Sequence, residues 1–274
     1  MGKISDAFER HQRDKEIKVK SLFSDKPLSA VSEEPEIPLI KKSLPIHVDP
    51  KVVMLSAPGS AEAENFKVLR TQLLFTDEEK RPRTIMVSSL LPGEGKTFVS
   101  INLAISFAQG IDEYVLLVDC DLRRPQIHEK LGYRNVDGLH EHLIGKRDLK
   151  DLIIKTQIDK LSILPAGKRP PNPAELLSSA RMRTFLQEIK ERYDDRLVII
   201  DSGPAHITPE SKVLGEYVDG IILVVMAGKA PRKEIQKAID NFGKDKILGV
   251  VFNGYSPSTK GSYKYYEEYY GGKG

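Results

Sequence analysis

The sequence predicts an α/β fold, a mostly parallel central sheet with helices on both faces. Three observations carry that expectation. Short runs rich in branched apolar residues recur at 84–87, 114–119, 161–165, 197–201, 220–226 and 247–252, with the length and composition of strands buried on both faces. Segments with helical spacing lie between most of them, and such alternation implies parallel strands joined by crossovers. Two of the runs end in a carboxylate, Asp119 and Asp201, at the edge where open α/β sheets bind their ligands.

The composition narrows the class. At 274 residues the chain has room for one large α/β domain with extensions. Hydrophobic residues at 40% and charged residues at 30% describe a globular protein with a sizeable core. A net charge of +3 does not by itself argue for nucleic acid as a partner. The single cysteine, Cys120, excludes an intrachain disulfide and paired-cysteine metal sites, and it fits a reducing cytoplasm. No apolar run approaches the roughly 18 residues of a membrane span. The N-terminus is charged rather than signal-like, and Asp6 stands where N-myristoylation needs Ser or Thr. The expected location is therefore cytoplasmic, at the inner face of the membrane only through a partner.

In chain order, residues 1–50 read as a charged N-terminal extension and linker, with prolines at 27, 35, 38, 45 and 50 and little packing before Lys51. Residues 51–254 form the expected globular domain. Its first helix is expected over 60–75, where Phe66, Leu69, Leu73 and Leu74 share a face. Glu64, Lys67 and Arg70 line a neighbouring face at i, i+3 and i+6, as an ordinary solvated ladder would.

The run at 84–87 leads into Ser88-Ser-Leu-Leu-Pro-Gly-Glu-Gly-Lys-Thr97, and a helical pattern follows from Phe98. Strand, glycine-containing turn and Gly-Lys-Thr at a helix start form the context of a phosphate-binding loop. Backbone N–H groups and the positive helix end converge on that turn, where a polyphosphate accepts them. The fold class is thus P-loop NTPase-like. The expected nucleotide contacts are Pro92, Gly93, Glu94, Gly95, Lys96, Thr97 and Phe98, with Lys96 on the β- and γ-phosphates and the Thr97 hydroxyl on Mg²⁺. Leu90 replaces the first glycine of the usual G-x-x-x-x-G-K-[ST] pattern.

The strand at 114–119 continues into Cys120-Asp121-Leu122-Arg123-Arg124-Pro125. Asp119 and Asp121 lie two residues apart on an extended strand end, so they share a side. One can polarise a nucleophile while the other touches metal or its water. Asp201 fits the carboxylate that holds Mg²⁺ through water. Lys96, Asp119, Asp121 and Asp201 together supply what phosphoryl transfer needs: a cation, metal positioning and a carboxylate for the acceptor's proton. Arg123 or Arg124 either stabilises developing charge or pairs with one of these aspartates. A basic loop follows at 167–173, a helix is expected over 174–193, and another over 231–242. Asn253, ending the last strand, is either a contact to the nucleotide base or a turn cap.

Residues 255–274 hold six of the ten tyrosines, with Tyr263, Tyr265, Tyr266, Tyr269 and Tyr270 clustered between Gly and Ser. Lacking aliphatic partners, this tail is expected to be flexible. Glu267 and Glu268 interrupt the charge that stacking on nucleic acid would require, so phosphate-acceptor hydroxyls are the favoured reading.

The loop Pro92–Thr97, the strand end Leu116-Leu-Val-Asp-Cys-Asp-Leu-Arg-Arg-Pro125, the strand Leu197-Val-Ile-Ile-Asp201 and the tyrosine tail together resemble the bacterial tyrosine kinases, autokinases of capsule and exopolysaccharide biosynthesis. The resemblance covers residue 54 to the end. It implies ATP and Mg²⁺ bound by Lys96 and Thr97, by Asp119 and Asp121, and by Asp201. It implies phosphorylation of one subunit's tail by a neighbour in a ring. Glu64-x-x-Lys67-x-x-Arg70 resembles the family's ring-forming Glu-x-x-Arg-x-x-Arg helix, with Lys67 in place of a bidentate Arg. Further implied partners are a transmembrane polysaccharide co-polymerase that activates the kinase and a protein-tyrosine phosphatase. Gly203 stands where the family more often has Pro. Two other readings stay open: a partitioning-type switch ATPase, whose signature lysine would stand at Leu91, and a nucleotide-binding scaffold without kinase activity.

Overall fold

The computed structural model describes residues 48–74, 81–192, 196–205 and 209–255. The tyrosine tail and nearly all of the N-terminal extension lie outside the described residues. The elements, in order, are α1 (Val53–Ser56), α2 (Ala61–Leu74), β1 (Thr84–Ser89), α3 (Lys96–Ala108), β2 (Tyr114–Asp119), α4 (Ile127–Lys130), α5 (Leu139–Leu143), β3 (Ile154–Lys155), β4 (Leu161–Leu164), α6 (Pro173–Leu177), α7 (Ala180–Arg192), β5 (Arg196–Asp201), α8 (Pro209–Tyr217), β6 (Gly220–Met226), α9 (Arg232–Phe242) and β7 (Ile247–Asn253).

Among the described residues these strands form one sheet in the order β3-β4-β2-β5-β1-β6-β7. Each pairing is parallel except that of β3 with β4. The expected α/β architecture is the observed one. Alternation along each strand feeds two cores. Val115, Leu117, Ile85, Val87 and Ile199 pack under α1, α2 and α3. Leu116, Val118, Met86, Val198 and Ile200 meet α5, α6 and α7 on the other face. α3 is the deepest helix, with Leu103, Ala104 and Ile105 fully buried, so the loop in front of it is seated on the core.

Local chemistry explains the helix starts. Ser60 Oγ accepts the Ala63 N–H at 3.1 Å and caps α2. The helix expected over 174–193 is instead two, α6 and α7. Ser179 Oγ accepts the Met182 N–H at 3.1 Å, restarting the chain in a new direction. Packing also begins earlier than Lys51: Val48 rests on the first core, and Lys130 Nζ donates to Asp49 Oδ2 at 2.8 Å.

Candidate active site

Strand register assembles the site. Asp119 ends β2 and Asp201 ends β5, and the two are direct partners in the parallel pairing, so their Cα atoms sit about 4.8 Å apart. Both fall in phase with the residues that face α3, and they therefore point at the helix that the phosphate loop opens. Asp201 Oδ2 accepts the Thr97 hydroxyl at 2.7 Å and Oδ1 the Ser100 hydroxyl at 3.0 Å. Lys96 Nζ lies 2.7 Å from Asp121 Oδ2, with the lysine side chain 13% exposed. Asp119 is fully enclosed. Its Oδ1 accepts the Asp121 N–H at 3.1 Å, and its Oδ2 accepts those of Gln126 and Ile127 at 3.1 and 3.2 Å. Asp121 Oδ1 takes the Arg124 N–H at 3.0 Å.

The loop's shape has definite causes. Gly93 and Gly95 sit at φ 77° and 94°, where a side chain is strained. A Cβ on Gly95 would also collide with the Asn253 amide. Leu90, in place of the usual glycine, needs no positive φ, and its side chain is buried with Leu223, Val225 and Ala238. Glu94 is wholly buried. Its Oε2 accepts the Leu91 N–H at 2.6 Å and its Oε1 the Met226 N–H at 3.2 Å, tying the loop to β6. Glu94 thus presents its side chain to the protein rather than to a ligand. Phe98 packs edge-on against Phe66 with centroids 5.5 Å apart.

Two residues that carried alternative expectations, Asn253 and Arg123, have partners within the chain. Asn253 Nδ2 donates to the Glu94 carbonyl at 2.8 Å, and its Oδ1 accepts the Gly254 N–H at 2.9 Å. Its amide braces the loop and caps its own turn, the second of the two roles expected of it. Arg123 pairs with none of the three aspartates, because a carboxylate on α8 claims it: Nη2 lies 2.8 Å from Glu210 Oε1, with Glu210 buried and the arginine side chain half exposed. The α8 segment carried no expectation, and Glu210 was missed with it. Its Oε2 has no hydrogen-bond partner among the described residues. Arg123→Ala would leave both oxygens of a buried carboxylate without a donor, at a cost of about 1–3 kcal/mol. Thermal melting is expected to show the loss, and Arg123→Ala with Glu210→Gln should recover part of it.

The expected ring residues are engaged within the chain. Lys67 Nζ donates to Glu64 Oε1 at 2.6 Å, and Arg70 Nη1 donates to the Ser106 carbonyl at 2.5 Å, bracing α2 on α3.

Electrostatics test whether a metal-bound polyphosphate fits. Burial and then the Asp201 charge push the Asp119 carboxyl well above the usual range, and burial also raises Asp201 despite Lys96. Burial alone would lower Lys96, but Asp201 and Asp121 outweigh it and hold the ammonium protonated. Three carboxylates face one lysine, so the site holds more negative charge than it neutralises, and a divalent cation would relieve it. No three His, Cys, Asp or Glu among the described residues stand close enough to form a metal site unaided. Mg²⁺ takes one or two carboxylates and completes its shell with phosphate and water.

Fold and site define a P-loop nucleotide-binding protein. A family model for an AAA domain matches residues 82–227. The septum site-determining protein MinD of Pyrococcus horikoshii, solved with Mg-ADP, superposes with a TM-score of 0.54 at 25% identity, covering 68% of this chain and 76% of that one. Closer are the tyrosine kinases. The kinase domain of Escherichia coli tyrosine kinase ETK superposes with a TM-score of 0.71 at 32% identity, covering 80% of this chain and 86% of that one. The tyrosine-protein kinase YwqD of Bacillus subtilis is 33% identical over 229 residues, 83% of this chain and 95% of that protein. The chain belongs to the bacterial tyrosine kinases and is a protein-tyrosine kinase. The switch-ATPase alternative is disfavoured, consistent with Leu91 where its signature lysine would stand. No helix among the described residues is long and apolar enough to cross a membrane.

Proposed function

We propose that this chain is an ATP- and Mg²⁺-dependent tyrosine autokinase that phosphorylates the tail tyrosines of a neighbouring copy and so regulates polysaccharide synthesis or export. The observation that carries it is the meeting of Lys96, Asp121, Thr97 and Asp201 beside the phosphate loop, in a chain whose last residues concentrate its tyrosines. Bound MgATP supplies the transferable γ-phosphoryl group and the charge that neutralises it. The loop from Pro92 to Phe98 seats the phosphates on backbone N–H groups, and Lys96 offsets their charge. Thr97 and Asp201 position the metal's shell. Asp119, whose carboxyl is pushed well above the usual range by burial, takes the proton from the tyrosine hydroxyl. The phenolate oxygen then bonds to the γ-phosphorus as the bond to ADP breaks. Arg123, its side chain half exposed, faces developing charge while Glu210 holds it.

Residues 51–254 act as the catalytic domain, 1–50 as a linker and 255–274 as substrate. Acceptors are Tyr263, Tyr265, Tyr266, Tyr269 and Tyr270. Copies assemble through Glu64, Lys67 and Arg70. Each phosphate adds nearly two negative charges and loosens the assembly. A transmembrane co-polymerase holds the chain at the inner membrane face and stimulates it, and a protein-tyrosine phosphatase resets the tail. Intact-mass spectrometry after incubation with MgATP tests the reading. Stepwise gains of phosphate, absent when the five acceptors are changed to Phe, are expected. ATP hydrolysis with no phosphate on the chain would overturn it in favour of a switch ATPase.

A further inference from the structure

The two edges of the sheet are finished differently. β3 is two residues long, runs antiparallel to β4 and carries the exposed Lys155, a form in which edges resist further pairing. β7 carries none of these devices. It is seven residues long, Ile247-Leu-Gly-Val-Val-Phe-Asn253, with no charge and no proline. Among the described residues it pairs with β6 alone. A strand of that composition belongs between two neighbours. β6 is nearly all buried, yet no residue of β7 is, and Phe252 is 62% exposed.

Both faces of β7 are only half covered. Val251 leans on the core under α1, α2 and α3, and Val250 on the small cluster of Leu90, Leu223, Val225 and Ala238. A Cβ added at Gly249 would meet open space. Alternate N–H and C=O groups of the strand point away from β6, with no strand among the described residues to meet them.

The chain supplies an occupant from the end of β7 itself. Asn253 Oδ1 accepts the Gly254 N–H at 2.9 Å and Gly254 sits at φ 66°, so the backbone turns out of the line of β7 at once. The sequence from Gly254 to Ser262 has turn-forming composition, with Ser256, Pro257, Ser258 and Gly261. Tyr263-Lys-Tyr-Tyr-Glu-Glu-Tyr-Tyr270 follows, outside the described residues. It has no proline or glycine, nearly matches β7 in length and is dominated by tyrosine, which favours strands. Laid antiparallel it sits about 4.8 Å from β7, a gap that the connection spans with length to spare. Tyr263, Tyr265 and Tyr269 then share one face, and Tyr266 and Tyr270 the other. Each half-covered face of β7 gains aromatic cover.

We propose that residues 263–270 add to the free edge of β7 in their own chain, as a further strand, and that this docking stores the tyrosines away from the carboxylate site. The storage role rests on the autokinase reading; the pairing does not. Docked and released tails exchange, and only the released form reaches a neighbouring copy. A phosphate on one of these tyrosines sets about two negative charges against apolar Val250 or Phe252, so a modified tail stays released.

Amide hydrogen exchange of the full chain carrying Lys96→Met reads the pairing without catalysis, with peptides covering 247–253 and 263–270 followed by mass. Glu267→Pro with Glu268→Pro places proline at adjacent positions, so one of them removes a ladder hydrogen bond whichever way the strand faces. Exchange in both peptides is expected to quicken about tenfold in that variant, while Glu267→Gln with Glu268→Gln leaves it unchanged. In phosphate transfer to a Lys96→Met acceptor, the proline pair should raise kcat/KM about tenfold, because the tail is no longer withheld. An unchanged rate of transfer would remove the storage role. β7 exchange that the proline pair leaves unchanged overturns the proposal, and so does protection that rises with protein concentration, which assigns the strand to a second copy. Protection that behaves as expected, in a wild type that transfers no phosphate, leaves the pairing standing and sinks the autokinase reading.

Discussion

Lys96→Met is expected to abolish tail phosphorylation, lowering the rate by about a thousandfold or more while the fold survives. The thioether chain fills the same space, and the methylenes of Lys96 already lie in a largely enclosed channel. What disappears is the ammonium. With it gone, Asp121, Asp119 and Asp201 face one another without a cation, and any bound phosphates lose their neutralising partner. Nucleotide affinity should fall along with transfer, because Lys96 balances charge in both states. Phosphate incorporation measured by mass, beside nucleotide binding measured by calorimetry, checks both halves. A Lys96→Met chain that still phosphorylates its own tail would remove the lysine from the account.

The second large effect separates activity from stability. Asp201→Asn should cost at least about a hundredfold in transfer, because Thr97 and the metal's shell lose their organiser. The chain without nucleotide should nevertheless melt no lower than wild type at neutral pH. The cause is the direction of the pKa shift. Burial, opposed by Lys96, raises the Asp201 carboxyl above its ordinary 3.8, so the folded chain holds that proton more tightly than the unfolded chain does. The resulting stabilisation is full below 3.8 and is lost as pH rises through the raised folded value. Asparagine keeps an acceptor for the Thr97 and Ser100 hydroxyls but carries no charge to desolvate. Melting curves of the metal-free chain across acid to neutral pH should therefore fall with pH in wild type and fall less steeply in Asp201→Asn, where the buried Asp119 still contributes. The stabilisation that Mg²⁺ and nucleotide add near neutrality should shrink in the variant. A steeper pH dependence in Asp201→Asn would contradict this account of the site's charge.

How much of this was legible in the sequence follows from how local each signal is. The strands were visible because parallel strands buried on both faces need unbroken apolar runs, and the carboxylates ending two of those runs marked the binding edge. The Gly-Glu-Gly-Lys-Thr turn was visible because backbone geometry and side-chain chemistry are both written within a few residues. β3, two residues long and antiparallel, carries no pattern of its own. The break between α6 and α7 was signalled only by Ser178 and Ser179 inside a helical pattern. Glu94 was counted as one more backbone donor, since the loop pattern leaves its position open. Its role as an anchor depends on β6, more than a hundred residues away in the chain. The Arg123–Glu210 and Asn253–Glu94 contacts are likewise set by strand order and register, which spacing does not encode.

The most direct measurement mixes two full-length chains with MgATP: one carrying Phe at the five tail tyrosines, the other carrying Lys96→Met. The first keeps the catalytic residues without acceptors, and the second keeps acceptors without the lysine. Intact-mass spectrometry separates the two products. The account predicts phosphate on the Lys96→Met chain alone, at Tyr263, Tyr265, Tyr266, Tyr269 or Tyr270, at a rate that rises with concentration. Wild type that gains tail phosphate by itself, while the Lys96→Met chain gains none from its neighbour, would contradict transfer between copies.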